Sequence, residues 1–326
     1  MTAPTTLTGM LQLFRNSDEV TRGRLRMFSN LRERDYPTFW GDWTKLPLGS
    51  RLRMITLMNE ISEEHVDYDF KPVLRWALAD ADAYVRQRAI DGLAEEDNPR
   101  VIAPLLHILT NDPQPATRSA AALALARFCE YAALEELAPT HVAPLVDGLT
   151  AALASNNDTP EVYRRIIEAL GWVADANIDA LIEDTWHHSD IPMRESALVA
   201  MGRSMSERWY PTVKQALDHG HPAIRYEAAR AAGLYGDDAL TCIPQLINLA
   251  QEDDIEVATS AIWALGQIDD HRAIKALEKF STSRDQVKRD AALDALGNEG
   301  GADDLLGNWR NAFRSTDDDD DDDDEE

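Results

Sequence analysis

The chain repeats itself, and the repeat limits the folds open to it. The stretch His221-Pro-Ala-Ile-Arg-Tyr-Glu-Ala-Ala-Arg-Ala-Ala-Gly233 sets an arginine, an Ala-Ala pair three residues on, and a glycine eight residues after the arginine. Six other segments fall in register with it. The arginine column reads Arg86, Arg118, Tyr163, Arg194, Arg225, Ala258 and Arg289, with steps of 32, 45, 31, 31, 33 and 31 residues. The glycine column reads Ala94, Ala126, Gly171, Gly202, Gly233, Gly266 and Gly297. A unit this short cannot bury an apolar face alone, so it must stack on like units.

Each column has a physical reading. The pairs Ala89-Ile90, Ala121-Ala122, Ile166-Ile167, Ala197-Leu198, Ala228-Ala229, Ala261-Ile262 and Ala292-Leu293 occupy one face of a helix, and their small members admit a close neighbour. The glycines fall where a helix ends, which predicts left-handed capping residues. Asp82, Asp190, Asp254 and Asp285, with His221 in the same column, stand four residues before the arginine position and predict N-caps. Pro192 and Pro222 follow as first-turn prolines. Fourteen residues before the arginine, Pro72, Pro104, Pro211 and Pro244 open a second apolar-periodic segment.

Each unit therefore reads as helix A, a polar turn and helix B. The unit behind the 45-residue step has a longer helix A, about His141 to Ala154, and a loop over Ser155 to Thr159. Arg53 and Arg22 extend the arginine column into a degenerate N-terminal part. There Trp40 and Trp43, three residues apart, predict a shared packed face beside Phe39. The expected organisation is a degenerate helical cap over 1–65, a repeat array over 66–300, a capping helix over 301–314, and a disordered acidic tail over 315–326.

The Asp-x-x-x-Arg-x-x-Ala-Ala-x-x-x-Gly pattern, for example Asp190 to Gly202 with Ala197-Leu198 at the pair, resembles a HEAT repeat, in particular the short phycobilisome-lyase-type HEAT-like repeats. The resemblance is well matched over 66–300 and weaker over 7–65. It implies an all-α, right-handed α-solenoid of about nine antiparallel helix pairs, a HEAT-like superhelix with the B helices lining the concave face. It also implies that the arginine and the turn aspartate of adjacent units pair along the array. Arg86, Arg118, Arg194, Arg225, Arg289, Gly171, Gly202, Gly233, Gly266 and Gly297 are then fold-holding positions. Function has to be argued from the positions that the repeat leaves free.

Charge narrows the partners. The net charge is −26, and setting aside the ten acidic residues Asp317 to Glu326 leaves −16 on the rest. Phosphate binding needs clustered Lys and Arg, so nucleic acid is not expected, whereas a basic protein or peptide is complementary. Basic residues concentrate near the N-terminus, from Arg15 to Arg53, which suggests fold-back of the tail or head-to-tail association. Cys129 and Cys242 fall on apolar helix faces and provide no disulfide framework. A reducing, cytoplasmic location is expected, without a signal peptide or membrane span.

Three groups of residues are candidates for function. The position five past the arginine should face the concave side, and it places Asp91, Glu168, Arg230, Trp263 and Asp294 there with Leu123 and Val199; Tyr226 lies beside Trp263 in the adjacent unit. These residues predict a surface for a protein or peptide partner, with aromatic anchors. His188, His219 and His221 form a second group at the A–B turns, with His188 and His219 in equivalent columns. Imidazoles beside Asp190 and Asp218 have the chemistry of a transition-metal site, and so of a metal- or pigment-handling, lyase-like alternative. Catalysis has the least support. No cofactor motif is present, and the paired His-Glu dipeptides of iron-dependent HEAT-repeat hydroxylases are missing; Glu64-His65 is reversed and isolated. A non-enzymatic scaffold or adaptor without cofactor is the expected function.

Overall fold

The computed structural model describes residues 6–156 and 159–297. The expected capping helix and acidic tail lie outside them. Among the described residues all regular structure is helical, and the helices alternate as the sequence columns require. The chain divides into two compact units, 1–179 and 180–326, with the boundary in the first turn of one helix.

The first unit holds α1 (Leu7–Leu13), α2 (Arg22–Leu25), α3 (Tyr36–Trp43), α4 (Leu48–Glu64), α5 (Lys71–Ala77), α6 (Ala83–Asp91), α7 (Ile102–Asn111), α8 (Pro115–Ala133), α9 (Pro139–Ser155) and α10 (Pro160–Leu170). The even-numbered B helices pack on one another in sequence, α2 on α4 through α8 on α10, while α1 packs on α3 and α7 on α9. The second unit holds α11 (Ala176–Trp186), α12 (Ile191–Ser204), α13 (Tyr210–Ala216), α14 (Pro222–Leu234), α15 (Ile243–Leu249), α16 (Ile255–Gly266), α17 (His271–Phe280) and α18 (Gln286–Gly297). Its B helices α12, α14, α16 and α18 form a second consecutive stack. The described residues thus form nine helix pairs.

The small apolar pairs are the seam of each stack. Ala121, Ala122, Ala197, Ala228, Ala229 and Ala261 are fully buried. Leu293 on α18 is 52 % exposed. Asp82 accepts from the amides of Tyr84 and Val85, and Asp254 from Val257, as N-caps. Asp190 stands at the N-cap of α12 without such a bond.

The glycine column corrects the capping expectation. Gly236, outside the column, is the only described glycine with positive φ. Gly171 caps α10 in right-handed conformation, and Gly202 and Gly233 lie within helices. Gly202, Gly233 and Gly266 serve close approach instead. A Cβ on Gly202 would meet Ala231 Cα at 2.9 Å, one on Gly233 would run into the Trp263 ring at Cζ3, and one on Gly266 would meet Ala295 Cβ at 2.8 Å. Successive B helices pack so tightly here that no side chain fits between them.

The arginine column forms a ladder along the A–B turns. Arg86 bonds the Asp112 carboxylate through Nε (2.6 Å) and Nη2 (2.5 Å), and its Nη1 donates to the carbonyl of Asp80 at 2.7 Å. Arg225 repeats this with Glu252 (2.6 Å) and the His219 carbonyl (2.9 Å). Arg118 reaches the Asn156 amide oxygen (2.7 Å), the Thr159 hydroxyl (3.0 Å) and the Asp112 carbonyl (2.8 Å). The carboxylate acceptors Asp80, Asp112 and Glu252 therefore stand six residues before the next arginine position and Asn156 seven before it, and the expected aspartates four before it are caps. The ladder also shifts the N-terminal register: Arg51 pairs with the buried Asp80, while Arg53 donates to the Val20 carbonyl. Asp80 and Asp112 side chains are each 1 % exposed, so these pairs close off charge that has left water.

The N-terminal aromatics pack as i,i+4 pairs and not as the expected Trp40–Trp43 pair. Phe39 stacks on Trp43 at 5.3 Å and Tyr36 on Trp40 at 5.8 Å. Trp43 is fully buried, and its Nε1 donates to Asp80 at 2.6 Å, so the aromatic cluster and the ladder share one carboxylate.

Candidate functional site

On α14, residues 226, 230 and 234 follow each other by one turn along the strip that helix packing leaves partly exposed. Arg230 Nη1 donates to Tyr226 Oη at 3.1 Å, and its guanidinium lies 5.7 Å from the Tyr226 ring centre. The side chain is thereby held along the helix surface. From α16, Ser260 Oγ donates to the Tyr226 carbonyl at 3.1 Å. One turn on, the Trp263 ring covers Gly233. Tyr226, Arg230 and Trp263 are all partly exposed, the first two on α14 and the third on the neighbouring B helix α16.

The other members of the expected row divide. Asp294 on α18 and Asp91 on α6 are exposed. Glu168 departs from its expected surface role: it is 2 % exposed and bonded to Arg165 at 2.9 Å, because α10 turns this position inward. Val199 is also buried. A position five past the arginine therefore has no constant orientation, and its α14 and α16 members stay partly exposed on neighbouring B helices.

The histidines lie at the ladder turns. His188 Nδ1 accepts the Asp190 amide at 3.1 Å and His219 Nδ1 accepts the His221 amide at 3.0 Å. Asp80 and Asp112 make the same bond to residues 82 and 114 at 2.9 Å. Imidazole replaces carboxylate in an otherwise repeated turn. His221 is the exposed N-cap of α14, and His187 meets Glu183 at 3.2 Å. Burial, then the Arg194 charge, pushes the His219 pKa below the usual histidine value. Among the described residues no three His, Cys, Asp or Glu side chains are grouped to hold a metal ion, and no helix is long and apolar enough to cross a membrane. The columns read from the sequence did not include the polar residues that stand six before arginine positions: Asp80, Asp112, His188, His219, Glu252 and Ser283.

These features agree with the comparisons to known proteins. The family model for HEAT repeats matches residues 71–144 and 210–297. The chain is a HEAT-repeat protein. Among solved structures it is similar to the complex of CpcE and CpcF of phycocyanin lyase from Nostoc sp. PCC7120, with 17 % identity over 75 % of this chain and 94 % of that one and a TM-score of 0.51. That likeness shows the shared fold. Looser likenesses are human deoxyhypusine hydroxylase in complex with glycerol (18 % identity, 78 % of this chain and 91 % of that one, TM-score 0.35) and Kap95p in its RanGDP complex (14 % identity, 90 % and 45 %, TM-score 0.48). No curated protein matches the sequence significantly.

Proposed function

We propose that this protein is a non-enzymatic scaffold or adaptor that holds a protein or peptide on its B-helix face. The observation that supports this most is the Tyr226–Arg230–Trp263 patch. Aromatic and arginine side chains are the residue types that anchor protein interfaces, because they bring large contact area at small entropic cost. Here the internal hydrogen bond and the ring over Gly233 hold them in place before a partner arrives. The net charge of −26 makes a basic partner the complementary one.

The lyase-like alternative rests on the fold likeness to the phycocyanin lyase subunits and on the His188/His219 turns. Both rings already spend Nδ1 on a backbone amide, so that reading has only Nε2 of each to work with. Affinity capture from the native cell with mass spectrometry tests the scaffold reading. The wild type should retain a partner that the Tyr226→Ala/Arg230→Glu double variant loses. Equal recovery by both removes this face from the interaction. Metal analysis of the purified protein beside a His219→Ala control tests the alternative.

A further inference from the structure

We infer that the cleft around Arg194 in the second unit binds a carboxylate group. The ladder itself shows what belongs there. Arg51, Arg86 and Arg225 each meet a carboxylate from the following turn: Asp80, Asp112 and Glu252. Arg194 occupies the same column but has no carboxylate partner among the described residues. Its Nη2 faces His219 Nε2 at 3.3 Å, and its Nε is buried without a hydrogen-bond partner. Arg86 uses this same Nε–Nη2 edge to hold Asp112.

His219 Nδ1 accepts the His221 amide, so the neutral ring carries its proton on Nε2. Burial and the charges of Arg194, His221 and Arg225 all favour that neutral ring. Arg194 Nη2 and His219 Nε2 are then two donors turned toward each other with no acceptor of their own. A carboxylate oxygen on the cleft side accepts from both.

The surroundings form a site of suitable size and charge. The Arg194 guanidinium lies 4.6 Å from the Trp186 ring centre, which fixes its plane. An open cleft of about 570 Å³ adjoins it, lined by Trp186, His187, Gln215, Asp218 and His219. Asp218 is held by Gln245 Nε2 at 2.5 Å and leaves one negative charge at the rim. That charge favours a singly charged carboxylate over phosphate. The group belongs either to a free organic acid or to a peptide, as an acidic side chain or a C-terminus.

Nuclear magnetic resonance of the labelled full chain at constant ionic strength is the test, with the Arg194 Nε–H and His219 ring signals as readout. The probes are acetate, a peptide amide with one internal aspartate, a neutral peptide with a free C-terminus, and inorganic phosphate. At least one carboxylate probe should give saturable shifts at both residues and raise the melting temperature, and the strongest identifies the source. His219→Asp supplies its own carboxylate; this variant should melt higher than wild type and bind the same probe at least tenfold more weakly. Arg194→Gln should lose binding as well. Absence of saturation with every carboxylate probe overturns the assignment. So does unchanged affinity in His219→Asp, or phosphate binding as tightly as the best carboxylate.

Discussion

Arginine recurs at one position in this chain because its fork can reach two acceptors, a carbonyl behind it and a side chain on the next turn. Where the acceptor is a buried carboxylate, removing the arginine strands a charge. Arg86→Ala should therefore cost about 3–5 kcal/mol in urea denaturation. Arg289→Ala, which forfeits chiefly a bond to the Ser283 carbonyl, should cost about 1 kcal/mol. His219 ties stability to pH with a definite sign. Its folded pKa lies below the ordinary 6.5, so the unfolded chain takes up the proton first as pH falls. Stability should drop as pH falls below 6.5 and level off below the folded value. The wild-type melting temperature should fall more over this window than that of His219→Asn; parallel curves would show that His219 is not the group responsible. The arginines were legible in the sequence, but their partners were not. Asp, Asn and Glu share no side-chain type, only the ability to accept a hydrogen bond, and at Arg194 the facing residue is a histidine that presents a donor. Reading Arg53 in place of Arg51 was a slip of the same origin, since both fall at plausible spacings.

Between elements, small residues decide how closely the B helices approach. A glycine near a helix end is compatible with a left-handed cap or with close packing, and spacing alone does not separate them. The right-handed backbone of Gly171 and the Ala231 backbone beside Gly202 do. Gly202→Ala should destabilise the protein by about 1–3 kcal/mol, because the obstacle is backbone and cannot rotate away. Gly297→Ala has nothing within 4 Å of the new methyl and should be neutral or stabilising by up to about 1 kcal/mol. Equal losses in urea denaturation for the two variants would contradict the packing account. Helix order, the long α9 and the proline-led A helices followed from periodicity and punctuation. The aromatic pairing in α3 did not, because Tyr36, Phe39, Trp40 and Trp43 permit several i,i+3 and i,i+4 combinations, and Asp80, 37 residues away in sequence, fixes Trp43.

On the scale of the whole molecule, the columns that recur from unit to unit are spent on holding units together, and the scaffold reading turns on what remains exposed. The sequence put candidate residues on α14 and α16, which the structure makes neighbouring B helices. It did not separate Tyr226, Arg230 and Trp263 from the inward Glu168 and Val199, since orientation depends on how each B helix is rotated against two neighbours. The face reading is a claim about place, so a footprint tests it most directly. Once the captured partner is known, hydrogen–deuterium exchange of the complex against the free chain should show slowed exchange over 224–234 of α14 and 257–267 of α16. Protection confined to the A helices or to the first unit, with those two segments unchanged, would contradict the account.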